Sequence, residues 1–175
     1  VELKNRSIYI KSDYMPKPFY HENGNISLMI LGKPVLNDKI CLKKIAEKLC
    51  NSWPNKSFLK EINSEFLVVL ADKQRNTLNI ISSRFNSPPF FYFHKEDRFI
   101  GSFAFYDLWK ILNSSDDLQL NSQSIYEFLA YKRIFGNKTH DKNTRIIEPA
   151  SILTFDGSSV VSEKYWIPNF RDKFK

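Results

Sequence analysis

The chain has 175 residues, the usual length of one domain, and its 42% of hydrophobic residues supply enough apolar surface to close a single core. No apolar run reaches the ~18 residues of a membrane span, and the basic opening Val1-Glu2-Leu3-Lys4 is not followed by the apolar stretch of a signal peptide; a cytoplasmic protein without membrane association is expected. The formal charge of +7 admits an acidic partner such as RNA, yet the lysines are dispersed and the closest cluster, Lys43, Lys44 and Lys48, fits the wet face of a helix, so no nucleic-acid partner is expected.

Nothing repeats and no Gly/Ser-rich or Pro-rich linker divides the chain, which predicts one unit. Ile26 to Leu31 is a short apolar run stopped by Gly32 and Pro34 and predicts a buried strand ending in a turn. Asn37 or Asp38 then caps a helix whose apolar positions Leu42, Ile45, Ala46 and Leu49 recur at i, i+3, i+4 and i+7, leaving Lys43, Lys44, Glu47 and Lys48 outside. Cys41 and Cys50 fall in this segment, about 13 Å apart along a helix rising 1.5 Å per residue, beyond the roughly 7 Å Cα reach of a disulfide. They read as reduced thiols. With His21, His94 and His140 scattered elsewhere, no Cys/His spacing resembles a metal site.

Phe66 to Ala71 is continuously apolar and rich in β-branched residues, which predicts a strand covered on both faces. Asp72 to Asn76 turns it into a second strand, Thr77 to Ser82. After Pro88-Pro89, the run Phe90 to Phe93 pairs through a turn at Lys95 to Asp97 with Phe99 to Ser102. Phe90, Phe91, Tyr92, Phe93, Phe99, Phe103 and Phe105 would stack bases only with interleaved basic residues, and lacking these they read as core. Phe105, Leu108, Trp109 and Leu112 carry a second helical stripe. Ile125, Phe128 and Leu129 carry a third, opened by Ser124 with Glu127 in capping-box spacing. Ile152 to Phe155, an Asp156-Gly157 turn and Val160 to Trp166 close the chain as a hairpin. Sheets flanked by helices predict a layered α+β sandwich.

From Asn63 onward the motifs follow a familiar order: Asn63-Ser64-Glu65-Phe66 into a strand, Asp72 in a turn, then Arg84-Phe85-Asn86-Ser87-Pro88-Pro89-Phe90-Phe91-Tyr92. This resembles the class II glutamine amidotransferase domain of asparagine synthetases, with its Asn-Gly-Glu-Phe segment and its Arg-Phe-Gly-x-x-Pro-Leu-Tyr-Tyr. Phe99-Ile100-Gly101-Ser102 is similar to the family's Phe-Ala-Ser strand, and Ile125 to Tyr131 to its Leu-Ala-Glu-Tyr-Leu helix. Ile146-Ile147-Glu148-Pro149-Ala150 is similar to its Leu-x-Pro-Gly. Leu153 to Gly157 with Tyr165-Trp166 is similar to the hairpin that precedes its synthetase domain. Each motif alone is weak; order and spacing carry the resemblance, which covers roughly Ile26 to Trp166. It implies a four-layer αββα sandwich of the N-terminal nucleophile hydrolase type, an amidotransferase-like domain over residues 1–166, and the start of a linker over 167–175.

The chain departs from the family where chemistry is done. The family's nucleophile is a terminal cysteine whose own α-amino group serves as base, and this sequence opens on Val1. Leu31-Gly32 stands for the family's Asn-Gly, keeping the glycine and losing an amide donor; loss of one such donor costs about 100- to 1,000-fold in rate. The His-Arg-Gly-Pro loop that grips the glutamine carboxylate has no counterpart before Leu31, and Ser82-Ser83 stands for the family's Arg-Asp. No catalytic, cofactor-binding or metal-binding residue is therefore expected in this chain. ATP and Mg are expected only in a synthetase domain with a Ser-Gly-Gly-x-Asp loop, which the chain lacks.

The function implied is that of an asparagine synthetase-like scaffold without glutaminase activity, partnered with an adenylate-forming, amide-making domain or subunit through the end carrying Tyr165, Trp166 and Pro168. Self-association stays open. Two alternatives stay open beside it: an active glutaminase domain supplying ammonia for asparagine synthesis, and an unrelated soluble binding module.

Overall fold

The computed structural model describes residues 17–169, together with the backbone of 2–3 and 6–7. Glu2–Leu3 (β1) and Arg6–Ser7 (β2) form a short antiparallel pair. The main body is a six-stranded, wholly antiparallel sheet. It is built from Phe19–Asn23 (β3), Ile26–Gly32 (β4), Phe66–Asp72 (β7), Thr77–Ser82 (β8), Ser151–Phe155 (β12) and Val160–Lys164 (β13), in the spatial order β13-β12-β8-β7-β4-β3. A two-stranded hairpin, Val35–Leu36 (β5) with Lys39–Ile40 (β6), leads into helix α1, Leu42–Ser52. A smaller antiparallel sheet sets Phe91–Lys95 (β9) between Arg98–Ser102 (β10) and Thr144–Ile146 (β11). Between β10 and β11 lie helices Phe105–Ser114 (α2) and Ser122–Tyr131 (α3).

The uninterrupted apolar runs of β4 and β7 follow from burial on both faces, with alternate residues entering two different cores. On one face Ile26, Leu28, Ile30, Phe66, Val68, Leu70, Ile81 and Ile152 meet Ile45, Ala46 and Leu49 of α1 and Phe58 and Leu59 of the 3-10 turn Ser57–Glu61. On the other, Met29, Leu31, Leu67, Val69, Leu78, Ile80, Leu153 and Phe155 meet Phe90 and Ile147, with Tyr92, Phe99 and Phe103 packed alongside. Odd residues of β9 turn the opposite way: Phe93, with Phe91 and Ile100, packs on Leu108 and Leu112 of α2. Each fully buried Leu, Ile or Phe removes enough apolar area from water to stabilise the fold by roughly 1.5–3 kcal/mol. The fold of the described residues is thus mixed α+β, with antiparallel sheets and three α-helices. Phe66 to Asp72 is an interior strand, and Ile45 and Leu49 face the core as the periodicity predicts.

Two sequence expectations give way to other local chemistry. Asn37 and Asp38 do not cap α1. Both adopt left-handed backbone, φ 50° and 61°, in the turn joining β5 to β6, and the N-cap is Cys41, whose carbonyl accepts from Ile45 N–H at 2.9 Å. Asn and Asp tolerate positive φ because their short polar side chains bond locally. In α3 the cap is Asn121, whose side chain accepts from Ser124 N–H at 3.2 Å, while Glu127 turns to Lys138 and to the Phe135 N–H instead of closing a capping box. Ser124 is the residue of α3 that is buried; Phe128 and Leu129, read as a core stripe, are 43% and 61% exposed.

Candidate functional site at one end of the large sheet

Four of the segments that carry the resemblance, around Gly32, Asn63 to Phe66, Arg84 to Pro89 and Ile147 to Ala150, meet at one end of the six-stranded sheet. β4 ends there at Gly32, β7 begins at Phe66, β8 ends at Ser82 and β12 begins at Ser151. The register sets Gly32 opposite Phe66, Leu67 opposite Ser82 and Ser151 opposite Lys164. Three connecting segments close over this end: Asn63 to Glu65, Ser83 to Pro89, and Ile147 to Ala150.

Gly32 has φ +92°, and a Cβ there would lie 2.3 Å from the carbonyl oxygen of Glu65, so the approach of the two chains admits glycine alone. The same carbonyl accepts from Lys33 N–H at 2.9 Å, and Val35 and Asn63 exchange backbone bonds of 3.0 and 2.9 Å. Three residues with a Cβ share this left-handed conformation in the connecting segments: Ser64 at φ +74°, Asn86 at +53° and Ala150 at +52°. Asn86 compensates by donating from Nδ2 to the Ile147 carbonyl at 2.8 Å.

The hydroxyls gathered here serve the backbone. Ser82 Oγ donates to the Glu148 carbonyl at 2.6 Å and accepts from Ser151 N–H at 3.0 Å. Ser83 Oγ donates to the Ser87 carbonyl at 2.9 Å and accepts from Ser87 N–H at 3.0 Å, while Ser151 Oγ donates to the Pro149 carbonyl at 3.1 Å. Tyr165 donates its hydroxyl to the Ser82 carbonyl at 2.8 Å, and burial pushes its phenol well above the ordinary range, so it remains a donor. None of these oxygens is bonded to an imidazole or amine base, the arrangement that activates a hydroxyl nucleophile. Arg84 donates from Nη2 to the Lys60 carbonyl at 2.7 Å, and its guanidinium lies 4.9 Å from the Trp166 ring centroid. Arg84 Nε and Asn86 Oδ1 are buried and unpaired among the described residues; they are one donor and one acceptor, and neither is nucleophilic.

No family model matches this sequence, and no curated protein matches it.

The other residues singled out from sequence fall as follows. Leu31 is fully buried in the core shared by the two sheets and offers no polar atom at its side chain. Val1 lies outside the described residues. Cys41 stands half-buried at the start of α1, and Cys50 is buried in the α1 core, where desolvation pushes its thiol up and away from the reactive thiolate. His21 lies on β3. His94 on β9 meets Phe155 edge-on, and His140 stands between Phe105 and Phe128. Among the described residues, no group of three or more His, Cys, Asp or Glu is placed to hold a metal, and no helix is long and apolar enough to cross a membrane.

Tyr165 belongs to the fold's core, 5% exposed, and Trp166 packs half-buried against the same cluster. Sequence reasoning missed two polar hubs. Asp117 accepts from Lys95 at 2.9 Å, Arg98 at 2.5 Å and Ser115 at 3.0 Å, and these bonds hold its carboxyl down to about 2. Asp141, buried, accepts from Gln119 N–H at 2.6 Å and from Asn143 N–H, Thr144 N–H and Thr144 Oγ at 3.0, 2.8 and 2.8 Å. The second hub was signalled by Asp-x-Asn-Thr, an Asx-type turn; the first joins the β9–β10 turn to the segment after α2, a contact between distant residues that spacing does not mark.

Proposed function

We propose that this chain is a degenerate glutamine amidotransferase-like domain of the asparagine synthetase type, lacking glutaminase activity and serving as scaffold for an ATP-dependent, adenylate-forming domain that makes an amide. The observation that supports this most is conformational. Gly32, Ser64, Asn86 and Ala150 stand where the resembled motifs have glycine, and all four hold positive φ, three of them with a side chain. A left-handed residue with a Cβ costs roughly 1–2 kcal/mol. Three such residues at these spacings fit a backbone laid down for glycine whose side chains drifted after chemistry was lost.

The helix, large sheet, small sheet and helix successively joined by the three cores also fit the αββα layering of N-terminal nucleophile hydrolases. On this reading ATP and Mg belong to the partner domain and not to this chain. At the sheet end, the apolar Leu31 and the serines committed to backbone carbonyls offer no activated nucleophile for a glutamine amide, and Cys50 is buried away from it in the α1 core.

The test is an ammonia-release assay over hours with excess glutamine, on this chain alone and on any longer protein of which it forms part. No release above the uncatalysed rate is expected. Glutamine-dependent release abolished by a thiol reagent would overturn the scaffold reading in favour of an active glutaminase.

A further inference from the structure

The tip of the β3–β4 hairpin holds the one Asn-Gly pair of the sequence, Asn23-Gly24. Asn23 and the two turn residues, Gly24 and Asn25, are exposed. Gly24 holds φ +57°, and no atom lies within 4 Å of where its Cβ would stand. Its N–H takes no acceptor among the described residues, although the turn is tied on either side of it. Lys73 N–H donates to the Asn25 carbonyl at 2.7 Å, and Glu22 accepts from Ser27 Oγ at 3.0 Å and from Lys73. The side chain of Asn23 donates from Nδ2 to Asn51 Oδ1 on α1 at 3.0 Å.

A backbone nitrogen one residue after an asparagine can attack the Cγ of that side chain, because nucleophile and electrophile are already parts of one chain and close a five-membered ring. The nitrogen must be free, the residue that carries it must not crowd the ring, and water must reach the product. Gly24 meets the first two conditions with its unbonded N–H and missing Cβ, and exposure meets the third. Other asparagines followed by a small residue are restrained. After half-buried Asn86, the Ser87 N–H donates to Ser83 Oγ at 3.0 Å. After Asn51 and Asn113, the N–H groups of Ser52 and Ser114 lie inside α1 and α2, where the helical ladder engages them.

We propose that Asn23 is a site of spontaneous deamidation. The Gly24 nitrogen loses its proton and bonds to Asn23 Cγ, the Cγ–Nδ2 bond breaks, and Nδ2 leaves as ammonia with that proton. Water then opens the succinimide at either carbonyl, giving aspartate or isoaspartate; nothing is oxidised or reduced. Both products carry a carboxylate beside Glu22 with no hydrogen to give Asn51, so the hairpin tip loses its tether to α1. Isoaspartate also lengthens the main chain by a methylene, which disturbs the pairing of residue 23 with Ile26. The ammonia amounts to one molecule per chain and needs no glutamine, which separates it from any glutaminase turnover.

The experiment holds the whole folded chain in mildly alkaline buffer made with heavy-oxygen water, beside a free peptide of residues 21–27. Mass spectrometry follows residue 23, and electron-based fragmentation separates aspartate from isoaspartate. The expected result is replacement of the side-chain NH2 by labelled oxygen in both isomers, more slowly than in the peptide because the strand ladder restrains Asn23. Gly24→Ala should slow the conversion severalfold and Asn23→Ser should abolish the mass gain in this segment; unchanged melting temperatures establish that both variants are folded. A folded chain still intact at residue 23 when the peptide has converted would overturn the proposal. Aspartate without isoaspartate, or an undiminished rate in Gly24→Ala, would overturn it equally, since either outcome removes the Gly24 nitrogen from the reaction.

Discussion

The hydroxyl of Tyr165 reaches the carbonyl of Ser82 across 2.8 Å, tying the end of the last strand to the end of β8 over a sequence distance of 83 residues. Both partners are buried, so the bond cannot be replaced by water. Tyr165→Phe removes the donor and leaves the carbonyl short of one partner, and should lower stability by about 1–2 kcal/mol. Urea denaturation of the two proteins measures it; an unchanged midpoint would mean that the bond contributes nothing net.

Trp166 gives a second measure of how the chain's last described segment holds the fold. Its ring packs half-buried on the α1-side core and under Arg84. Trp166→Ala should cost the isolated domain stability, below the 3–5 kcal/mol of a fully buried aromatic, or roughly 2 kcal/mol. Calorimetry on this chain reads the effect; an unchanged melting temperature would mean that the ring contributes nothing net to the fold.

At the sheet end, glycine is required at one position and missing at another. Gly32→Ala drives a Cβ to 2.3 Å from the Glu65 carbonyl at φ +92°, and should destabilise by about 3 kcal/mol or more. Ser64→Gly does the opposite. The residue is exposed at φ +74°, so relief of about 1–2 kcal/mol is offset by about 0.5–1 kcal/mol of unfolded-chain entropy. A rise of several tenths to one kcal/mol should appear as a higher denaturation midpoint.

The Asp117 hub gives a pH dependence of definite sign. Its carboxyl is held at about 2, below the ordinary 3.8, chiefly by the bond from Lys95, then Ser115 and Arg98. A carboxylate depressed in the folded state stabilises while ionised. Its contribution is complete above about pH 4 and drains away as pH falls toward 2. Asp117→Asn should therefore melt lower than wild type at pH 7, and the gap should close between pH 4 and pH 2 in melting scans. A gap that persists at pH 2 would show that packing, not charge, is responsible.

Much of the fold was legible in the chain. Thr77 to Ser82 was read with its exact ends, because Asp72 to Asn76 and the break at Ser83 bound it. Ile26 to Leu31 and Phe66 to Ala71 were each read within one residue, because burial on both faces leaves an unbroken apolar run. The hairpin β5–β6 was missed since its strands are two residues long and its turn residues, Asn37 and Asp38, equally suit a helix cap. β3 was missed because an edge strand with mostly exposed side chains lacks the apolar alternation that marks a covered one. α3 was located, but its burial was overread: of the stripe Ile125, Phe128 and Leu129, Ile125 is half-buried and Phe128 meets His140, while Leu129 stays exposed, because periodicity marks a face without saying how much of it is covered. At the sheet end, the sequence pointed to the residues that meet but not to what the serines do, since a hydroxyl bonded to a carbonyl 66 residues away leaves no mark on spacing.

The left-handed backbone positions also define a reserve for engineering. Of the residues with a Cβ and positive φ, Asn37, Asp38, Asn76, Asn86 and Asp116 are of the tolerant kind, whereas Ser64, Glu96, Lys132 and Ala150 are not. Ser64, Glu96 and Lys132 are exposed and lie in three separate turns, so glycine at each relieves strain without opening a cavity, and the gains should add. A more robust version of this domain, suited to carrying a fused enzyme at elevated temperature, is therefore reachable by editing loops alone, with both sheets and every core residue left as they are.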